Sequence, residues 1–142
     1  MRIIVDADAT PSLKEIVEIS ENNNIECHLF CDYSHNFDCQ NAKIHYISSG
    51  FQMVDIAISN YLSEDDILIT QDYGLALIAL TKKAKAIGPN GIIYTNDNID
   101  ILLKQRYINL LNQNKKVHIK KRTKEIEQKF LANLQKLIAF NK

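Results

Sequence analysis

The sequence predicts an α/β domain with three layers: a mostly parallel central sheet flanked by helices, ending in a C-terminal amphipathic helix. Three observations carry this. Short runs rich in Ile, Val and Leu recur between Arg2 and Ile87, each short enough for a buried strand. Helical segments with apolar spacing separate them in a β-α-β-β-α-β-α-β order, which calls for crossovers and so for parallel strands. The last segment repeats Ile126, Phe130, Leu134, Leu137 and Ile138 at helical spacing.

Taken in order, Arg2 to Val5 is the first strand. Thr10 or Ser12 offers an N-cap to the helix that follows, with Pro11 near its start, and Ser12-Leu13-Lys14-Glu15 fits a capping box. Leu13, Ile16, Val17 and Ser20 give that helix its buried stripe, and Asn22-Asn23-Asn24 ends it. Ile25 to Cys31 is the second strand and Lys43 to Ile47 the third, with a polar loop from Asp32 to Asn41 between them. Gln52 to Leu62 is helical. Asp66 to Thr70 is the fourth strand, ending just before Gln71-Asp72, and an apolar helix runs from Tyr73 to Lys83. A fifth strand lies around Ala84 to Ile87. Gly88-Pro89-Asn90-Gly91 breaks the chain, and Ile92 to Tyr94 is a stub of strand. Asn96 can cap a helix carrying Ile99, Leu102, Leu103, Leu110 and Leu111, and Thr123 can cap the last one.

At 142 residues and 46% apolar, the chain reads as one domain, 1–142, with enough apolar surface for a sizeable core. No apolar run reaches the ~18–20 residues of a membrane span. An acid follows within the first residues, Met1-Arg2-Ile3-Ile4-Val5-Asp6, against a secretory signal; a cytoplasmic location and no membrane partner are expected. Lys+Arg and Asp+Glu both number 17, so net charge selects no partner. Its distribution is more informative, with basic residues crowded between Lys115 and Lys124.

The acids are the candidate chemistry. Asp6 and Asp8 end the first strand two residues apart, a spacing that points both carboxylates the same way. Asp72 lies just past the fourth strand. If those strands are neighbours, the three acids meet at the edge where open α/β sheets bind ligands. Gathered carboxylates repel unless protons or a cation neutralise them, and an all-oxygen set suits Mg²⁺ or Mn²⁺. Such a centre activates water and stabilises charge on a scissile phosphate. Asp55 interrupts the apolar stretch Met53 to Ile58 and, with Ser59 one turn on, forms a polar stripe able to face the cluster. The plainer readings are turn chemistry for Asp6 and Asp8, a helix start for Asp72 and a helix surface for Asp55. Asp65 and Asp66 precede a strand and are expected in a solvated turn.

Cys27, Cys31, His35 and Cys39 share a four-residue spacing open to a zinc reading, but structural zinc sites use tighter paired knuckles. Alternation of Ile25, Cys27, Leu29 and Cys31 on one strand face accounts for the cysteines as small hydrophobes. The stretch Lys115 to Lys124 offers phosphate neutralisation, with Lys120, Lys121 and Arg122 the candidate nucleic-acid contacts, or else a solvated linker. Tyr33, Phe37, Phe51 and Tyr73 are aromatic candidates for base stacking, and His35 and His118 read as surface residues.

Val5-Asp6-Ala7-Asp8-Ala9-Thr10-Pro11 resembles the "DADACP" opening of the bacterial YaiI/YqxD family. Ile69-Thr70-Gln71-Asp72-Tyr73-Gly74-Leu75-Ala76 resembles its second signature, Asn90-Gly91 with Tyr94-Thr95 and Asn98-Ile99 its third, and Lys121-Arg122-Thr123 its basic segment. The resemblance implies a PIN-like fold and a nuclease acting on RNA through Mg²⁺ or Mn²⁺ held by Asp6, Asp8, Asp55 and Asp72. Thr10 stands where the family has Cys, and Gln52 where it often has Asp, which lowers the charge of the site. Two other readings stand beside this one. Asp6-Ala7-Asp8-Ala9-Thr10 also resembles the D-x-D-x-T opening of haloacid-dehalogenase phosphatases, in which the first Asp is a nucleophile. A non-enzymatic nucleic-acid-binding or regulatory domain with a degenerate acidic pocket is the third.

Overall fold

A computed structural model describes residues 1–32, 39–50, 52–112 and 122–140. The strands are β1 (Arg2–Asp6), β2 (Glu26–Asp32), β3 (Lys43–Ile47), β4 (Ile67–Ile69), β5 (Lys85–Ile87) and β6 (Ile93–Tyr94). The helices are α1 (Leu13–Asn22), α2 (Met53–Tyr61), α3 (Tyr73–Thr81), α4 (Asn96–Leu111) and α5 (Lys124–Phe140). The sheet order is β3-β2-β1-β4-β5-β6. Every pairing is parallel except β5 with β6, the short strand that returns after the Gly88–Gly91 turn. The chain is therefore α/β with a mostly parallel sheet and a C-terminal helix, a layout consistent with the PIN-like expectation.

Alternation sorts the strand residues onto two cores. Ile3, Val5, Cys27, Leu29, Cys31, Ile67 and Ile69 face α1 and α5, where Ile16, Phe130, Leu134 and Ile138 meet them. Ile4, Phe30, Leu68 and Ala86 face the other way, onto Ile58 of α2, Leu75 and Ala76 of α3 and Ile99 of α4. Strands covered on both faces read as continuous apolar runs, as β1 and β4 do. Cys27 and Cys31 lie in the first core, and burial pushes the Cys27 thiol up to about 12. A neutral thiol held in a core is a poor zinc ligand, and His35 lies outside the described residues.

Several local expectations are corrected. Ser12 is the residue before α1, but it has left-handed φ (65°) and its hydroxyl donates to Glu127 Oε1 at 2.5 Å, tying α1 to α5 instead of closing a capping box. Thr95, not Asn96, caps α4, and it does so with Asn98 in a full capping box. The Thr123 hydroxyl accepts from the Ile126 amide as expected. Leu110 and Leu111 are 55% and 67% exposed, so the buried stripe of α4 ends with its first half.

The largest correction concerns Asp66. It is buried at 2% exposure and immediately precedes β4 at the amino edge of the sheet. Its carboxylate takes Arg2 Nε at 3.1 Å and Nη2 at 2.7 Å, plus the Ser63 amide at 2.8 Å. Arg2 also donates to Tyr61 O and lies over the Tyr61 ring, so this fork ties β1, β4 and the end of α2 together. Asp65 is exposed, as a turn residue should be. Among the described residues, no helix is long and apolar enough to cross a membrane.

Candidate active site at the carboxyl edge of the sheet

The chain leaves β1 toward β2 on one side and β4 toward β5 on the other. The gap between the carboxyl ends of β1 and β4 is thus the topological switch point, the usual ligand crevice of an open α/β sheet. Asp6 ends β1 and Asp72 follows β4, so the parallel β1–β4 pairing sets them side by side. Asp72 is the N-cap of α3: its Oδ1 accepts from the Gly74 and Leu75 amides at 2.8 and 3.3 Å. Thr70 joins the two acids. Its hydroxyl donates to Asp6 Oδ2 at 3.1 Å and accepts from the Asp72 amide at 3.0 Å.

Asp55 reaches the same place from α2 and lines one groove with Asp72. The Asp55 carboxyl is held above its ordinary range, first by burial, then by the charge of Asp72. Asp6 is 8% exposed, and its carboxyl is pushed up to about 6. Burial is the main cause; the Thr70 hydroxyl opposes it, and the charges of Asp55, Asp8 and Asp72 add to it.

Asp8 departs from the expected geometry. After Asp6 the backbone enters a 3-10 turn, Ala7–Ala9, which ends strand alternation. Asp8 is exposed and its Oδ2 accepts from the Asp32 amide at the end of β2, at 3.0 Å. It adds charge near Asp6 from the margin. Thr10 donates its hydroxyl to Asp6 O at 2.7 Å and closes the same turn.

A cleft of about 800 Å³ opens over Asp6 and Asp72, with Gln71, Tyr73, Gln105 and Arg106 among its walls. A second groove of about 310 Å³ runs past Asp55 and Asp72 and is lined by Gln52 and Ser59. Arg106 Nη1 stands 3.9 Å from Asp72 Oδ1. Gln105, Arg106 and Asn109 were not foreseen. Their signal lay in the sequence, since with Leu102 they repeat at i, i+3, i+4 and i+7 and so share one helix face. Of the predicted nucleic-acid contacts, Lys120 and Lys121 lie outside the described residues, as do Tyr33, Phe37, Phe51 and His118. Arg122 does not extend into solvent: its Nη1 donates to Pro89 O at 2.5 Å and its guanidinium lies over Phe130.

Among the described residues, no three His, Cys, Asp or Glu side chains are gathered closely enough to ligate one ion directly. The donor chemistry nonetheless suits a hard cation. Mg²⁺ keeps several waters and takes only one or two carboxylates, with substrate phosphate completing its shell. Asp72 with Asp6 or Asp55 meets that requirement, and a cation there would displace the proton that burial favours on Asp6.

Comparison with known proteins now bears on this edge. The family described as "Uncharacterized BCR, YaiI/YqxD family" matches residues 4–140. The chain belongs to the YaiI/YqxD family. A UPF0178 protein of Clostridium tetani is 43% identical over 141 residues, 97% of each chain. One from Clostridium novyi is 42% identical, covering 97% of this chain and 95% of that one. One from Lachnoclostridium phytofermentans is 45% identical over 108 residues, 76% and 72% of the two chains. No solved structure gives a significant match. Within this YaiI/YqxD chain, Gln52 lines the groove beside Asp55 and Asp72, so an aspartate in its place would stand next to the acid pair.

Proposed function

We propose that the chain is a Mg²⁺- or Mn²⁺-dependent phosphodiesterase acting on RNA, centred on Asp6, Asp55 and Asp72, with Asp8 at the margin. The observation that carries this reading is the gathering of three acids at the switch point, Asp6 and Asp72 lining the cleft and Asp55 and Asp72 the groove beside it. The fold brings like charges together there against their repulsion, as active sites do and stable cores rarely do.

When bound, the cation supplies charge neutralisation at the scissile phosphate and a more acidic water. The residues do the rest. Asp72 is fixed by the first turn of α3, and Asp6 is oriented by Thr70. Asp55, whose carboxyl is raised above its ordinary range and lines the open groove, takes the proton of the attacking water. Arg106 faces the phosphate charge from α4, and Lys120 and Lys121 are further candidates for phosphate neutralisation. Attack by water on phosphorus with departure of the 3′ oxygen leaves 5′-phosphate and 3′-hydroxyl ends.

The test is cleavage of end-labelled single-stranded RNA in Mn²⁺. Cleavage should vanish in EDTA and fall at least ~100-fold in Asp72→Asn. Asn caps helices as well as Asp, so that variant keeps α3. Activity untouched by Asp72→Asn would place it elsewhere. A non-enzymatic nucleic-acid-binding reading draws on the absence, among the described residues, of three gathered ligands, and on Gln52 beside the pair. It predicts RNA binding indifferent to metal and no cleavage. The phosphatase reading needs an accessible nucleophile, whereas Asp6 is buried and Asp66 lies at the opposite edge of the sheet.

A further inference from the structure

Arg122 presents a chemical problem that the acidic cluster does not solve. One guanidinium nitrogen, Nη1, is bound to Pro89 O. The other two, Nε and Nη2, are shielded from solvent and have no hydrogen-bond partner among the described residues. Buried donors without acceptors are costly, and more so when charged. Arg2 shows what that edge of a guanidinium is for: the same two nitrogens hold the Asp66 carboxylate in a bidentate fork. Arg122 has the same fork, without a partner among the described residues. Planar forks of this kind match the paired oxygens of carboxylate or phosphate.

The surroundings are built. Pro89 sits in the turn from Gly88 to Gly91, where the Gly91 amide donates to Gly88 O at 2.9 Å and the Gly91 carbonyl accepts from Asn133 of α5 at 2.7 Å. Gly91 has φ +92°, and a Cβ there would meet Lys129 Cγ at 2.9 Å, so the turn is seated directly on α5. Arg122 thereby lines a cavity of about 400 Å³ with Pro11, Gln71, Tyr73 and Asn90. Gln71 and Tyr73 are also walls of the cleft over Asp6 and Asp72, so the two spaces share a side.

The geometry points to a phosphate-binding pocket at Arg122 that flanks the acidic cleft and takes the backbone of the strand lying across it. The fork holds two phosphate oxygens, and the Tyr73 ring, set edge-on against Tyr94, offers an adjoining base an apolar face. The choice of phosphate over another oxyanion rests on the RNA reading above. It differs from the expectation of an extended, solvated basic segment: Arg122 acts as a fixed, desolvated fork.

The experiment is fluorescence anisotropy of 3′-fluorescein octauridylate with the full chain in EDTA, where no cleavage competes. Arg122→Gln should weaken binding about tenfold or more. Arg122→Lys, which keeps a point charge but has no fork, should recover only part of that loss. Inorganic phosphate should displace the probe from the native chain and raise its Tm, without raising the Tm of either variant. If Arg122→Gln fails to fold, as circular dichroism would show, the lysine variant decides. Native-like binding by Arg122→Lys, or displacement by hexaglutamate as effective as that by phosphate, overturns the assignment. The outcome is separable from the nuclease reading. Fork-dependent binding by a chain that never cleaves keeps the pocket and rejects the nuclease, and cleavage with Arg122-independent binding does the reverse.

Discussion

Asp66→Ala is expected to lower the unfolding free energy by about 3 kcal/mol in urea denaturation at neutral pH, at the lower end of the range for breaking a buried ion pair. Asp66 accepts three hydrogen bonds, two from Arg2 and one from the Ser63 amide. Removing it leaves the Ser63 amide without this acceptor and Arg2 with its bonds to Tyr61 O and Ser63 Oγ. The Arg2 side chain is 24% exposed and partly hydrated, which keeps the cost from reaching the top of that range. Asp66→Asn retains an acceptor and should fall between the two. A loss below about 1 kcal/mol in Asp66→Ala would mean the fork behaves as an ordinary surface pair.

Asp6→Asn should act in the opposite direction. The Asp6 carboxyl is raised from 3.8 to about 6 in the folded chain, chiefly by burial. A group raised on folding contributes stability that is fully present below its unfolded value and lost as pH rises through its folded value. Here that window runs from about 3.8 to about 6, and above it the ionised carboxylate costs roughly 3 kcal/mol relative to the protonated form. Asparagine keeps an oxygen for the Thr70 hydroxyl without the charge. In EDTA at pH 8 the variant should therefore gain up to about 3 kcal/mol, and near pH 4 the gain should vanish. Thermal melts of both proteins across that range read the difference. A variant less stable than the native chain at pH 8 would show that the Asp6 charge is satisfied within the protein.

The sheet was legible because burial on both faces writes strands as unbroken apolar runs, and because the crossover order demands parallel pairing. Asp72 was legible for a related reason, since an acid just past a buried strand has few places to go but the carboxyl edge. Asp8 misled because strand alternation was carried one turn too far. The 3-10 turn from Ala7 to Ala9, held by the Thr10 hydroxyl on Asp6 O, sends it to the amide of Asp32. Asp66 and Arg2 stand 64 positions apart, and no local pattern links them. The same holds for Ser12 with Glu127 and for Arg122 with Pro89: each joins segments that only the finished packing brings together. The wall of the cleft formed by α4 was written in helical spacing. Those residues are polar, so they leave no apolar stripe to mark the face.

Calorimetric titration of Mn²⁺ into metal-free protein tests most directly whether the carboxyls at the switch point form a cation site. The account predicts binding at both pH 6 and pH 8. At pH 6 it should release protons, resolved by repeating the titration in buffers of different ionisation heat, because the Asp6 carboxyl, raised to about 6, is still partly protonated there. Release should be smaller at pH 8, and Asp72→Asn should remove the binding at either pH. No binding at either pH, or binding unchanged in Asp72→Asn, would contradict the account.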